Sequence, residues 1–172
     1  MADEHSTTSE IPDSPARTGR WAAHLGMLLL AAIVVAGLFG VFGLRTDTVE
    51  ASASGYRLEV EHASLTRAGQ PSPLNIRLEH AGGFDGPVQI SLCDDYFDHL
   101  DFQSWYPTPS AETGTADTLD YEFDPPSGEV LEVSLDARTA PGQFGGKETC
   151  EVTVLLEDVP LTSVRFSTWR LP

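Results

Sequence analysis

"CEVTVLLEDVPLTSVRFSTW", Cys150 to Trp169, decides how this chain folds. Its first half alternates, with Cys150, Val152, Val154 and Leu156 at every second position, and its second half repeats the pattern with Val164 and Phe166. Successive side chains of a strand point to opposite faces, so a period of two marks a strand buried on one side. Between the halves lies "EDVP", Glu157 to Pro160, short enough to join antiparallel neighbours. The stretch therefore reads as a β-hairpin.

The same pattern recurs upstream. "YRLEVEH" sets Tyr56, Leu58 and Val60 on one face, "PLNIRLEH" Leu74, Ile76 and Leu78, and "VQISLC" Val88, Ile90 and Leu92. "TLDYEFD" follows with Leu119, Tyr121 and Phe123, and "EVLEVSLDAR" with Leu131, Val133 and Leu135. These make seven strands, none with helical periodicity. "DPPSG", Asp124 to Gly128, fixes φ twice and ends on glycine, which predicts a hairpin between the fourth and fifth strands. "HAGGFDGP", "TAPGQFGGK" and residues 94–116 are longer and suit crossings between two sheets. The expectation is an all-β domain over residues 56–172, an immunoglobulin-like antiparallel β-sandwich of about seven strands.

Ahead of it, "WAAHLGMLLLAAIVVAGLFGVFGL" runs from Trp21 to Leu44 with no charge except a partial one on His24. At about 1.5 Å per residue a helix of this length exceeds the roughly 30 Å apolar core of a bilayer. "ASA", Ala51 to Ala53, offers a signal-peptidase pattern, but the apolar run is far longer than the about 7–15 residues of a cleaved signal. The reading is one uncleaved transmembrane α-helix over 21–44. Residues 1–20, rich in Ser, Thr, Pro and acid, read as a disordered tail, and "RTDTVEASASG", 45–55, as a linker. Arg17 and Arg20 precede the span while Arg45 and Arg57 follow it, so charge barely orients it. The short head and large tail favour a signal anchor in the cell membrane, N-terminus cytoplasmic and C-terminal domain exoplasmic. Ala32, Ala36 and Gly40 recur every four residues and permit a homodimer through the helix.

From Arg45 onward 8 basic residues face 22 acidic ones, a balance of −14. So acidic a domain repels polyphosphate, which argues against nucleic-acid binding and for basic partners or cations. Cys93 and Cys150 are the two cysteines, an even number for an oxidising compartment. Cys93 closes the third strand and Cys150 opens the sixth, neighbours in the sandwich reading. A disulfide between them closes a loop worth up to about 4 kcal/mol. It departs from the immunoglobulin bridge, which joins the second and sixth strands.

"CDDYFDHLDF", Cys93 to Phe102, holds the one dense group of acids. Asp94, Asp95, Asp98 and Asp101 are candidate calcium ligands, without the Asp-x-Asp-x-Asp-Gly spacing of a loop built for that ion. The simpler reading is a capped turn: Asp94 or Asp95 as N-cap, Tyr96, Phe97 and Leu100 inward, Asp98 and Asp101 in water. His62 and His80 read as satisfied strand-edge residues. Lys147, the sole lysine, lies in a glycine-rich arch without the context of a phosphate loop. No nucleophile elbow or hydrolase triad stands out. The longest unpatterned piece, 94–116, carries Trp105, Tyr106, Pro107 and Pro109 and is the expected contact surface.

Taken together, "GYRLEVEHASLTRAG", "GGFDGPVQISLCDDYFD", "EFDPPSGEVLEVSLDAR" and "FSTWRLP" resemble a group of small actinobacterial single-pass membrane proteins of unknown function with a β-rich C-terminal domain. The resemblance covers residues 55–172, implies the architecture without an activity, and implies that the cysteine pair is a local addition. The expected function is that of a non-enzymatic, cofactor-free, membrane-anchored module that binds another envelope or membrane protein. A cation-dependent ligand-binding module using residues 94–101 is the alternative.

Overall fold

A computed structural model describes residues 17–40, 43–142 and 145–171. Most of the expected N-terminal tail, residues 1–16, and residues 41–42 of the expected span lie outside the described residues. The chain divides after Gly43 into two units.

In the first unit, α1 spans Arg17–Leu38. It begins before Trp21 and stops short of the expected Leu44. Gly40, at φ +66°, adopts the left-handed conformation that ends helices cheaply only in glycine, and its N–H bonds back to Gly37 O at 3.0 Å. The stretch Gly19–Leu38 is long and apolar enough to cross a membrane. Leu25, Leu28, Ile33 and Val35 are exposed on different sides of it. Of the small residues expected to form one stripe, Ala32 and Ala36 are helical and Gly40 is past the helix end.

The second unit is mostly β. Among the described residues it holds β1 (Arg45–Ala53), β2 (Tyr56–Arg67), β3 (Leu74–His80), β4 (Val88–Cys93), β5 (Leu100–Tyr106), β6 (Ala111–Gly114), β7 (Thr118–Phe123), β8 (Val130–Thr139), β9 (Gly146–Leu156) and β10 (Val159–Leu171). One hydrogen-bonded path orders them β5-β8-β3-β2-β10-β9-β4-β7-β6, with β1 also on β2. The sheet is a curled half-barrel. It is continuous because β2 changes partners along its length. Tyr56 to His62 pair with β3, whereas Leu65 to Arg67 pair in parallel with Trp169 to Leu171 of β10.

All seven strands read from the alternation are present, as β2, β3, β4, β7, β8, β9 and β10. Their apolar positions make one core: Leu58, Val60, Ile76, Leu78, Ile90, Leu92, Val133, Val152, Val154 and Phe166 are all buried. The curl brings the far ends of the path together. Trp105 on β5 packs on Tyr121 and Phe123 of β7, ring centroids 5.0 and 6.1 Å apart, although those strands share no ladder.

The "EDVP" hairpin is present: Glu157 and Asp158, at φ +50° and +64°, form the two-residue turn between Leu156 and Val159. The "DPPSG" hairpin is not. β7 pairs with β4 and β6 while β8 pairs with β3 and β5, so residues 124–129 cross between halves of the sheet. Proline and glycine dictate that the chain turns there, and burial dictates where it goes.

The expected linker is also a strand. β1 pairs with β2 from Arg45↔Leu65 to Ala53↔Tyr56, and Ser54-Gly55 make the turn, at φ +53° and +83°. A Ser-Gly dipeptide beside Val49, Ala51 and Ala53 was the available signal. β5 and β6 escaped notice because each edge strand is wet on both faces. In β5 only Trp105 is fully buried, and β6 is exposed throughout.

Candidate functional site: an acidic groove walled by Tyr106

The contact surface expected at Trp105, Tyr106, Pro107 and Pro109 separates into parts with different roles. Trp105 is 5% exposed and belongs to the core, which removes it from any contact surface. Strand alternation then turns the next residue outward: Tyr106 is 79% exposed. Pro107, joined to it by a cis peptide bond, is exposed, and Pro109 is half-buried. Trp105→Phe is expected to cost about 1–2 kcal/mol in chemical denaturation, because the indole fills the gap between β5 and β7.

Tyr106 forms one wall of a groove of about 400 Å³ on the outer face of β2, β3 and β8, lined by Glu59, Glu61, Asn75, Arg77, Glu132 and Ser134. Two rungs of the sheet supply it. One runs Glu50, Glu59, Arg77, Glu132, and the next runs Thr48, Glu61, Asn75, Ser134, Tyr106. Because side chains in register share a face, these carboxylates gather on the outer side. Arg77 offsets part of their charge, bonding Glu79 at 2.8 Å and also Glu132. Asn75 Nδ2 donates to Glu61 Oε2 at 3.0 Å. The groove keeps a net negative lining beside an exposed phenol, a combination that suits a Lys or Arg side chain, by charge and by cation–π contact.

The four aspartates fall elsewhere. Cys93, not an aspartate, occupies the N-cap position of a 3-10 helix over Asp94–His99, and Asp94 and Asp95 lie in its first turn. Tyr96 is buried, Phe97 and Leu100 pack against the core, and Asp98 and Asp101 are exposed, as the capped-turn reading required. Asp101 accepts from Gln103 Nε2 at 3.1 Å. Among the described residues no three His, Cys, Asp or Glu side chains are grouped to hold a metal ion.

Cys93 and Cys150 form a disulfide with Cα atoms 5.7 Å apart, joining β4 to its sheet neighbour β9. Beside it lies a buried polar group that alternation alone concealed. Glu148, two residues before Cys150, faces inward; its Oε1 accepts from Arg170 Nη2 at 2.8 Å and lies 2.5 Å from His99 Nε2. Burial pushes the Glu148 carboxyl up despite the pull of Arg170 and His99 in the other direction, and the charges of Asp95 and Asp98 push the same way as burial. Burial also pushes the Tyr96 phenol up to about 12, with Ser72 offsetting part of it. Glu148 and Arg170 occupy inward strand positions, and His99 is the last residue of the 3-10 helix.

His62 is buried inside the sheet, its ring 4.8 Å from that of Phe166, and is not the edge residue expected. His80 stacks on Tyr56 at 4.1 Å and its Nδ1 lies 2.6 Å from Gly83 O.

These features define a mostly-β protein with one N-terminal helix able to span a membrane. No protein-family model matches the chain, and no curated protein matches it in sequence. Among solved structures it is similar to AvmM, described as catalysing macrocyclization in alchivemycin A biosynthesis, at 8% identity and a TM-score of 0.41 over 76% of this chain and 90% of that one. It is also similar to the Pseudomonas fluorescens alkylpurine DNA glycosylase AlkC, at 13% identity and a TM-score of 0.29 over 63% and 28%. Scores this low transfer neither a fold class nor an activity.

Proposed function

We propose that this is a single-pass membrane protein whose exoplasmic β unit is a non-catalytic interaction module that seats a basic segment of another envelope protein. The groove carries the reading: a concave, carboxylate-lined surface with Tyr106, 79% exposed, as its wall. Rigid exposed aromatics are the residues that anchor interfaces, and complementary charge steers the approach. The scaffold is a variant of the immunoglobulin-like sandwich. β5-β8-β3-β2 and β10-β9-β4-β7 take the place of its two sheets, with the short parallel contact of β2 and β10 joining them.

Cross-linking in membranes followed by mass spectrometry tests this. A partner joined through a Lys- or Arg-bearing segment to residues around Tyr106 is expected. Tyr106→Ala combined with Glu61→Lys should weaken that association by about 2 kcal/mol or more. Both residues are at the surface, so the melting temperature should hold. A β unit recovered only alone, or a partner indifferent to both substitutions, sinks the proposal.

A further inference from the structure

One rung of the sheet differs from the rest of this acidic unit. Arg45, the first residue of β1, pairs with Leu65 on β2; Leu65 pairs on its other side with Trp169 of β10, and Trp169 with Lys147 of β9. Residues in register share a face, so Leu65, Trp169 and Lys147 stand in a row on three neighbouring strands, and Arg45 adjoins the row across the irregularity where β1 shifts register between Arg45 and Thr46. Trp169 is 54% exposed, and Lys147 Nζ lies 5.7 Å from its ring centroid. Lys147, Arg45 and the preceding Leu44 are exposed too. The row holds two cations and no carboxylate, in a unit whose acids outnumber its bases 22 to 8. Two acids adjoin these residues in the chain: Asp47, exposed on β1, and Glu148, which faces inward and is bound by Arg170 and His99.

The row also begins where the chain arrives from α1. Only residues 39–44 separate Leu38 from Arg45, a tether no longer than about 25 Å when fully extended.

We propose that this row is an interfacial anchor: Trp169, flanked by Lys147 and Arg45, rests in the phospholipid headgroup layer of the bilayer that α1 enters. The inference depends on the membrane-anchor reading above. An indole with one apolar edge and one N–H donor prefers that layer, and Lys and Arg beside it meet the phosphates. The charge of the remaining surface supports the same orientation, since an anionic bilayer repels the carboxylate-rich faces and attracts this one.

The full chain carrying Trp21→Phe, reconstituted into nanodiscs of phosphatidylcholine and phosphatidylglycerol with brominated acyl chains, tests the proposal. Two tryptophans then remain, Trp105 in the core and Trp169. Relative to unbrominated discs, emission should fall by up to about half, the share of Trp169. Adding Trp169→Phe should abolish the loss, and Lys147→Glu should reduce it. The blue emission of Trp105 reports that each variant is folded. A chain that does not co-elute with the discs overturns the anchor reading and the inference together. A chain that co-elutes without quenching, or whose quenching survives Trp169→Phe, overturns the inference alone. A Trp169 emission shifted to the blue but insensitive to bromine means that protein covers the indole, and also overturns it.

Discussion

Glu148→Ala is expected to lower the unfolding free energy by about 3–5 kcal/mol, measured by urea denaturation at neutral pH. The reason is the residue left behind. Arg170 is 9% exposed, and its Nε and Nη1 have no hydrogen-bond partner. A guanidinium cannot release its proton to escape burial, so without Glu148 it keeps an uncompensated charge. Replacing both residues, Glu148→Ala with Arg170→Met, should recover most of the loss, because a buried pair exchanged for apolar bulk is close to neutral. A single substitution costing no more than a surface change would sink this account.

The same site carries a pH dependence whose sign follows from burial. The folded chain holds the Glu148 proton more firmly than the unfolded chain does. This carboxyl therefore contributes stability that is fully present below the ordinary glutamate value and lost as pH rises through its raised value. Wild type should gain stability relative to Glu148→Gln as pH falls through that window, where Asp95 and Asp98 also act on the site.

Removing the disulfide by Cys93→Ala with Cys150→Ala should cost about 4 kcal/mol in the same measurement. The bond closes a loop with 57 residues of sequence separation, so its absence frees the unfolded chain. The native sheet changes little, since β4 and β9 already pair from Gln89↔Leu155 to Ser91↔Thr153. Cys150 is buried, and the lost sulfur adds a small packing defect in the same direction. Equal denaturation midpoints for the oxidised chain and the double variant would refute the estimate.

The two tests also separate what was legible from what was not. The cysteine pair could be inferred because each thiol sits at a definite place in an alternating run, and the runs imply neighbouring strands. The Glu148–Arg170–His99 group could not. Glu148 and Arg170 occupy inward positions that the alternation assigns to apolar residues, and in "GKETCEV" and "STWRLP" they look like the polar residues of frayed strand ends. His99 reaches Glu148 only because a 3-10 helix folds over that end. Tyr106 was named as a contact residue, but its groove depends on Glu59, Glu61 and Glu132 from two other strands, which only pairing brings into adjacent rungs.

By itself the sequence determined the β character of the unit, seven of its strands, the "EDVP" turn, the cysteine pair and the apolar helix. Each is a local matter: one-sided burial imposes period two, a tight turn demands particular backbone angles, and a bilayer demands length and apolarity. The tertiary structure decided the rest. It added β5 and β6, whose exposed positions leave no period to read, and β1, whose short period of Val49, Ala51 and Ala53 is only half-buried. It sent "DPPSG" across the sheet, and it buried Trp105 while leaving Tyr106 outside. Those outcomes depend on which distant surfaces close over one another, and a strand does not encode its partner in its own alternation.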